Sequence, residues 1–460
     1  MVPKWNVLLF NLCVCLFPSL LSGQNNTGKK IIEFGWDCPK VSMLKMDISQ
    51  MENNVPFDGV VFTLDFDIYS AFDTNDRAQP AYQYDELSKI DWKKLTDNFL
   101  LVRGVGIYNA LWLNDNAWIK IVKNLTQISK SLSASKRIKG VGFDPEYYYS
   151  DPDNNPWIYK PSLYKNLSYQ QVGTFVRLRG KQFIQALQTY KPDIQVLCFW
   201  LLGLVSIQSQ TQPIAETGMA LYPFFVEGML QGQNKSSTII DGNEYSYGFE
   251  KPENFIESGK YRREEGSKLI SVSIQSKLQN VSIAQAVFFD LIYAKDPSYD
   301  RRFDKTTKER WLRYNSYNAF KTTDKYVWFY NERINWWKGL VDTGVARIIN
   351  EVKNIVNIEQ NNTNPQINGY SGIHDFKEIL PNSYHGISFI YTQKTNELYI
   401  KLLDVGIKNI QVFNNSRVIY AINSPPTDFT INLNGKYFKK GNLIILAKDS
   451  KGIASVAYVN

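Results

Sequence analysis

The segment Lys139–Tyr149, with the sequence KGVGFDPEYYY, has the pattern of a short buried strand that ends in two acidic residues and a run of tyrosines. Side chains alternate between the two faces of a strand, so Val141 and Phe143 share an apolar face. Asp144 and Glu146 share the opposite face with two glycines. Because an unpaired buried charge costs several kcal/mol, we expect both carboxylates at the open end of the strand, facing a cleft. The alternative is that they cap helices or pair with an arginine.

Apolar segments with strand character alternate with helix-like segments along most of the chain. Helical spacing is clearest in 115–135, where apolar residues recur every three or four positions, and in 168–190, where Ser168 has the side chain of an N-cap. The predicted helices are 41–51, 115–135, 168–190, 224–231, 261–278, 311–320 and 341–356. The eight predicted strands are 31–38, 58–67, 98–106, 139–146, 194–202, 237–247, 286–294 and 326–332.

This alternation predicts an α/β fold, a (β/α)8 or TIM barrel, over residues 24–360. A doubly wound open sheet is the structural alternative, but no glycine-rich phosphate loop follows any predicted strand. The active site of such a barrel lies at the carboxyl ends of its strands. Nine side chains are expected near those ends: Asp37, Asp65, Asp67, Asp144, Glu146, Trp200, Glu244, Asp290 and Glu332.

Residues 361–460 differ in character from the rest of the chain. A polar linker, Asn361–Pro365, precedes short alternating segments with turn signals, which predict a small all-β sandwich domain of about seven strands. Every tryptophan precedes this region, so we expect it to support the barrel and not to bind sugars through exposed indoles. The predicted strands are 386–391, 397–403, 409–413, 417–422, 428–433, 443–447 and 455–459.

Residues 1–23 have the pattern of a secretory signal peptide, with Lys4, an apolar run over 7–21 and two small residues after it. That run is too short for a membrane anchor, and no later segment is apolar for long enough to cross a bilayer. We therefore expect a secreted protein, or one in the lumen of the secretory or lysosomal pathway. Seven glycosylation triplets agree with this, at Asn25, Asn124, Asn166, Asn234, Asn280, Asn361 and Asn414.

Cysteine usage is sparse. Cys13 and Cys15 would leave with the signal peptide, so the mature chain would keep Cys38 and Cys198. We place these two on strands one and five, on opposite sides of the barrel. A disulfide needs Cα atoms within roughly 7 Å, so we predict two unpaired thiols.

The charge and histidine content exclude several function classes. A formal net charge of +8 is mild for 460 residues and the basic residues are scattered, so nucleic-acid binding is not expected. His374 and His385 are the only histidines, and both lie in the carboxyl-terminal part. This argues against a Ser-His-Asp triad or a histidine-rich zinc site in the barrel. We expect no cofactor, so acid–base chemistry falls to carboxylates and tyrosines.

Two carboxylates without a cofactor suffice to hydrolyse a glycosidic bond. Glu146, beside Tyr147, is the candidate proton donor, because burial against aromatic rings raises a carboxyl pKa. Asp144 shares its face and would influence its proton. We favour Glu244 as the second catalytic carboxylate, because its strand is two away from the fourth. Asp290 and Glu332 are the alternatives, and each acid could instead form a salt bridge or cap a helix.

Aromatic residues near the strand ends fit a carbohydrate substrate, because ring faces pack on the apolar faces of sugars. Among them, Trp328 is expected to be structural, whereas Trp336 and Trp337, in a loop after the eighth strand, look like a subsite. The expected substrate-binding residues are Trp36, Asp65, Tyr147, Trp200, Tyr245, Asp290, Glu332 and Trp336. The expected partner is an oligosaccharide or polysaccharide, bound by a monomer.

Gly140–Tyr147 resembles the fourth-strand motif of chitinase-like barrels, which reads Asp-x-Asp-x-Glu before a tyrosine. The last Asp and the Glu align with Asp144 and Glu146. The resemblance implies that Glu146 is the proton donor and that Asp144 orients the acetamido group of the substrate. The sequence departs from the motif at Gly142, where the family has Asp, and at Pro145, where it often has Trp.

The predicted barrel with a terminal β-sandwich and an acid on strand four also resembles the large retaining glycosidase clan. In that clan the nucleophile lies on strand seven, which would favour Asp290. We therefore expect a secreted glycoside hydrolase acting on a β-linked glycan. The alternatives are a catalytically inactive chitinase-like carbohydrate-binding protein, and a metal-assisted hydrolase with Asp37, Asp65 and Asp67 as oxygen ligands.

Overall fold

The computed structural model describes most of the chain between residue 28 and residue 459. The described ranges are 28–65, 70–72, 85–104, 109–148, 152–249, 252–293, 305–339, 341, 343–361, 387–392, 396–402, 406–414, 417–433, 443–449 and 454–459. The predicted signal peptide, Asp67 and nearly all of the predicted linker lie outside these ranges. None of the described helices combines the length and apolar character that a membrane crossing requires.

Nine short strands form one parallel sheet, in which neighbours along the chain are neighbours in space. The strands β7 and β8 are two halves of one barrel strand separated by Ala284, since β7 pairs with β6 and β8 pairs with β9. Because β1 also pairs with β9, the ring of eight strands closes. The strands are β1 Lys30–Gly35, β2 Gly59–Phe62, β3 Asn98–Arg103, β4 Ile138–Asp144, β5 Gln195–Cys198, β6 Thr238–Asp241, β7 Ser282–Ile283, β8 Gln285–Phe288 and β9 Tyr326–Asn331.

Counting β7 and β8 as one, a described α-helix follows every barrel strand except β2, after which residues 73–84 lie outside the described ranges, and this arrangement confirms the predicted fold class. The helices are α1 Val41–Asn54, α2 Asp115–Ser133, α3 Tyr169–Gln188, α4 Gly203–Gln208, α5 Tyr222–Gly232, α6 Pro252–Ser267, α7 Val272–Leu278, α8 Asp290–Tyr293, α9 Lys305–Thr322 and α10 Thr343–Asn361. Ser168 caps α3 in a reciprocal capping box with Gln171. The single helix predicted over 261–278 was wrong, because two helices, α6 and α7, cover this part of the chain.

Two predicted strands were too long at their carboxyl ends. The sixth strand was predicted to reach Tyr247, but β6 ends at Asp241 and a turn leads into one turn of 3₁₀ helix, Glu244–Gly248. The seventh was predicted to reach residue 294, but β8 ends at Phe288 and Asp290 begins α8. After β8 the apolar run continues because residues such as Phe289 also pack into the core, whereas after β6 the strand ends at a turn formed by Gly242 and Asn243.

The predicted faces of the fourth strand are present in β4. Phe143 points to the helix layer, where its ring lies 5.1 Å from that of Phe183 and 5.9 Å from that of Phe225. Gly142 points to the barrel interior, and a Cβ at this position would lie 3.3 Å from both Val61 and Phe199. The interior is filled at this level, so the strand carries glycine where its neighbours carry large side chains.

The carboxyl-terminal strands form two antiparallel sheets that share an apolar core. Leu398 and Ile400 of one sheet belong to the same buried cluster as Ile410 and Ile445 of the other. One sheet contains β10 Ile387–Thr392, β11 Glu397–Leu402 and β14 Asp428–Asn432. The other contains β12 Ile407–Asn414, β13 Arg417–Asn423, β15 Leu443–Asp449 and β16 Ala454–Val459. This confirms the small all-β domain, whereas its boundary at residue 361 stays a prediction.

Candidate active site

Two adjoining cavities open at the carboxyl ends of the barrel strands. The central lobe, of about 570 Å³, is lined by residues of β1, β3, β4, β8 and β9 and of the segments that follow them. The peripheral lobe, of about 810 Å³, is lined by residues that follow β5 and β6 and by α4 and α6. Glu146, Glu244 and Tyr247 line both lobes and therefore lie where the two meet.

The end of β4 presents Glu146 through a small hydrogen-bonded turn. Asp144, the last residue of β4, is buried, and its Oδ1 accepts a hydrogen bond from the backbone N–H of Glu146 at 3.0 Å. Its Oδ2 accepts from the Tyr148 hydroxyl at 2.9 Å and lies 3.5 Å from Nε of Arg103. Asp144 thus holds the segment that carries Glu146, and the Glu146 side chain is left at the junction of the lobes.

Glu244 is placed by a turn that only certain residues can form. Gly242 donates its N–H to the carbonyl of Cys198 at 2.7 Å, and Glu244 donates to that of Phe199 at 2.9 Å. A Cβ at Gly242 would lie 2.7 Å from both of these carbonyl oxygens, so no side chain fits there. Asn243 has φ 50, in the left-handed region that asparagine tolerates better than most residues. The sequence Gly-Asn therefore directs Glu244 back over the barrel mouth.

The environment of this mouth raises the proton affinity of two of its acids, Glu244 and Asp144. Burial raises the pKa of Glu244 to about 8, and the negative charges of Glu146 and Asp144 add to the effect. Burial also raises the pKa of Asp144 to about 6, helped by Glu146 and opposed by Arg103 and by the hydrogen bonds that Asp144 accepts. At neutral pH Glu244 is therefore the carboxyl that retains its proton.

Several predicted substrate-binding residues line the lobes. Trp36 is exposed at the edge of the central lobe, with the Arg333 guanidinium 5.6 Å from its ring centre. Trp200 and Tyr245 line the peripheral lobe, and Tyr245 is exposed there. Glu332 lines the central lobe and accepts a hydrogen bond from the Tyr330 hydroxyl at 3.3 Å.

Tyr147 is half-buried and lines neither lobe, so its predicted contact with substrate is not supported. The neighbouring Tyr148 lines the central lobe instead. The chain leaves the extended conformation after Asp144, so the strict alternation used to place Tyr147 does not continue.

Three further predictions for the site are corrected, because the side chains have structural roles. Trp336 is buried edge-on to Phe57 at 4.8 Å, and its Nε1 donates to Asn331. Asp290 is fully buried and accepts hydrogen bonds from two consecutive backbone N–H groups after β9. Asp65 accepts from the backbone N–H of Ser42 in the first turn of α1. None of the three lines either lobe.

Trp337 and Trp328 are also buried. Trp337 lines neither lobe, so the predicted Trp336–Trp337 subsite is absent from the part of the chain that the structure describes. Trp328 was expected to be structural, and its Nε1 donates to the carbonyl of Gly242 at 2.7 Å, although its ring also contributes to the central lobe.

Sequence reasoning missed Arg103, Tyr148 and Tyr330, which all line the central lobe. Arg103 ends β3 and Tyr330 lies near the end of β9. Their positions at the carboxyl ends of strands were the available signal. The sequence prediction considered mainly acids and tryptophans at these positions, and so it did not include the three residues.

Neither a metal site nor a disulfide is found among the described residues. In these ranges no group of three or more His, Cys, Asp or Glu side chains is placed to hold a metal ion, and Asp67 lies outside them. Asp37 instead accepts hydrogen bonds from the Asn331 side chain and the Trp336 backbone. Cys38, just after β1, and Cys198 are both free, as predicted. Burial raises the pKa of both thiols well above the usual range.

Comparison with known proteins gives matches at the level of structure only. A scan against known protein families finds no match, and a search of curated proteins finds none either. Among solved structures, a calcium-binding mutant of Bacteroides uniformis beta-glucuronidase 2 matches at 9% identity, over 91% of this chain and 43% of its own, with a TM-score of 0.36. Glycoside hydrolases are thus among the solved structures that this chain is similar to. The chain spans less than half the length of that glucuronidase.

Two other matches have comparable statistics. A glycoside hydrolase family 5 enzyme from Prevotella bryantii matches at 10% identity, over 69% of this chain and 88% of its own, with a TM-score of 0.39. A double mutant of Cellulomonas fimi endo-beta-1,4-mannanase matches at 9% identity, over 94% of both chains, with a TM-score of 0.34. At these identities the similarity concerns the fold, and the assignment of a (β/α)8 barrel rests on the closed strand order described above.

Proposed function

We propose that this protein is a secreted glycoside hydrolase that cleaves a glycosidic bond with two carboxylates, Glu244 and Glu146. The observation that carries the proposal is that both line the same two lobes at the barrel mouth although they come from different strands. A protonated acid and a second carboxylate in one cleft are the groups that such hydrolysis requires.

In the proposed mechanism Glu244 protonates the glycosidic oxygen as the bond to the anomeric carbon breaks. Its raised pKa, about 8, supports this role at neutral pH. Glu146 then acts at the anomeric carbon, either directly as nucleophile or by activating water. The sequence alone favoured Glu146 as the donor, and we reverse the two roles because the protein environment holds the proton on Glu244. Asp144 positions Glu146 through the backbone hydrogen bond.

A sugar ring in the central lobe would meet polar groups and exposed aromatic faces. Trp36 and Tyr148 are exposed residues of this lobe, and Arg103 and Glu332 carry a hydrogen-bond donor and an acceptor. We further propose that residues 1–23 are removed as a signal peptide, so that the mature chain acts outside the cytoplasm as a monomer.

The test is hydrolysis of a panel of p-nitrophenyl glycosides and natural oligosaccharides by the purified mature chain. We expect release from at least one β-glycoside, and a loss of about 10²–10⁴-fold in kcat/KM for Glu244→Gln and for Glu146→Gln. Glu216→Gln, which changes an exposed acid that lines neither lobe, serves as a charge-matched comparison. Hydrolysis that survives in both catalytic variants would refute the assignment.

The second candidate is a carbohydrate-binding protein without activity, which one observation favours. Chitinase-like barrels carry a further Asp where this chain has Gly142, and the contacts at that position leave no room for a carboxylate. A substrate-assisted mechanism of that kind therefore lacks a residue here. Binding on a glycan array with no product in a reducing-sugar assay would favour this candidate.

A further inference from the structure

The peripheral lobe lies to one side of the barrel mouth and differs in chemistry from the central lobe. Its walls come from the segments after β5 and β6, from α4 and from α6. Leu201 and Ile207 contribute aliphatic surface, and Trp200, Phe249 and Tyr261 contribute rings. The lobe is thus a largely apolar cavity that begins at the two carboxylates.

Charge at the base of this lobe is neutralised within the protein. Asp241 and Arg262 are both buried, and Oδ1 of Asp241 lies 3.4 Å from Nη1 of Arg262. Nη1 also donates to the carbonyl of Ala284, and Nε donates to that of Ser258. Nη2 of Arg262 has no hydrogen-bond partner among the described residues, but because Asp241 balances the charge of this arginine, the pair offers no net positive charge to an anionic ligand.

The central lobe is more polar than the peripheral lobe, although Phe34, Phe199, Phe288 and Trp328 also line it. Asp144, Arg103, Glu332 and the hydroxyls of Tyr148 and Thr63 surround it, and these groups suit the hydroxyls of a sugar. The two carboxylates stand between this polar lobe and the apolar one. A bond cleaved at the junction therefore separates a polar part of the substrate from an apolar part.

We propose that the peripheral lobe binds the leaving group of the substrate and that this group is an alkyl or aryl moiety. This inference rests on the proposed function and specifies its substrate class as glycosides of apolar alcohols or phenols. The glycosidic C–O bond breaks, and the leaving oxygen takes the proton of Glu244 and departs as an alcohol or phenol. Water adds hydroxide to the anomeric carbon and returns its other proton to a carboxylate, so the atoms balance.

The experiment compares kcat/KM for methyl, butyl and octyl glycosides and for a disaccharide, all with the sugar that the nitrophenyl panel identifies. Full burial of the chain predicts a rise of roughly fourfold per added methylene until the lobe is filled. Ile207→Asn, inside the lobe, should lower the octyl-to-methyl ratio. Ile256→Asn makes the same substitution at an exposed position of α6 that lines neither lobe, and should leave both the ratio and the basal activity unchanged.

Equal kcat/KM for methyl and octyl glycosides, or a preference for the disaccharide, would overturn this inference. The proposed function would still stand in that case, because the protein hydrolyses glycosides. If the wild-type chain hydrolyses no glycoside, the proposed function fails. In that case the inference is decided by calorimetry. Methyl and octyl β-glucoside, both below the micelle concentration, are titrated into the Glu146→Gln/Glu244→Gln double variant. Tighter binding of the octyl compound supports an apolar-group site, and equal binding refutes it.

Discussion

At the scale of single residues, the site depends on where a proton resides. Glu244 and Glu146 are chemically identical side chains, and their surroundings decide whether each holds a proton at neutral pH. Burial and two negative neighbours raise the pKa of Glu244 to about 8. On an exposed surface the carboxyl of Glu244 would titrate in the ordinary range. The acid and the base are therefore distinguished by the environment of each residue and not by its type.

This environment predicts the alkaline limb of the pH–rate profile. Glu244 is protonated below about pH 8 and loses its proton as the pH rises through that value, so hydrolysis should fall there. Asp144→Asn removes one of the charges that raise the pKa of Glu244, so the alkaline limb should move to lower pH. Asp193→Asn, at an exposed acid, is the control. An unmoved limb in Asp144→Asn would contradict the electrostatic explanation.

At the scale of elements, the turn after β6 decides whether the two carboxylates meet. The turn is built from backbone hydrogen bonds of Gly242 and Glu244 to the carbonyls at the end of β5. The end of β5 therefore fixes the backbone position of Glu244. In the same way Asp144, at the end of β4, holds Glu146 by accepting a hydrogen bond from its backbone N–H.

Gly242→Ala should damage both stability and activity. The added methyl group would lie 2.7 Å from two backbone oxygens, so the turn must shift, and overpacking of this kind costs about 1–3 kcal/mol. Gly218→Ala is the matched control, because no atom lies within 4 Å of a Cβ at that position and Gly218 lines neither lobe. Urea unfolding and kcat/KM measure the two effects. Equal stability of the two variants would show that the turn adapts.

At the scale of the whole molecule, closure of the barrel buries acids as well as apolar side chains. Glu33, in the middle of β1, is fully buried, and desolvation together with the nearby Asp37 raises its pKa well above the usual range. The native state thus keeps a proton that the unfolded chain releases above about pH 4.3. This difference in proton binding makes stability decrease as the pH rises from that value toward the native pKa.

Replacement of Glu33 with Gln should therefore raise the melting temperature at pH 7 and have little effect at pH 3. The glutamine has nearly the same shape and stays neutral in both states, so the unfolded chain is no longer stabilised by releasing a proton. Glu257→Gln, at an exposed position, should show no such pH dependence. Calorimetric melting curves at several pH values provide the measurement, and a Glu33→Gln variant that melts lower at pH 7 would disprove the explanation.

Prediction from the sequence succeeded where structure is local. The periodicity of apolar residues located every barrel strand and the seven strands of the carboxyl-terminal domain, and the Ser168 cap was recognisable from its type and position. It failed at the ends of strands, as after β6, where Gly242 and Asn243 form a turn inside the range predicted as strand. It also failed for Trp336, because a loop tryptophan packs into the core or lines a cleft according to contacts with residues far along the chain.

The sequence by itself determined the alternation of strands and helices and the supply of acids at strand ends, since these depend on neighbours within a few residues. Only the tertiary structure decided that Glu146 and Glu244 line one cleft, that Asp290 caps a backbone turn, and that the proton lies on Glu244. The physical reason is that distance, burial and electrostatic coupling between remote residues arise only when the ring of strands closes.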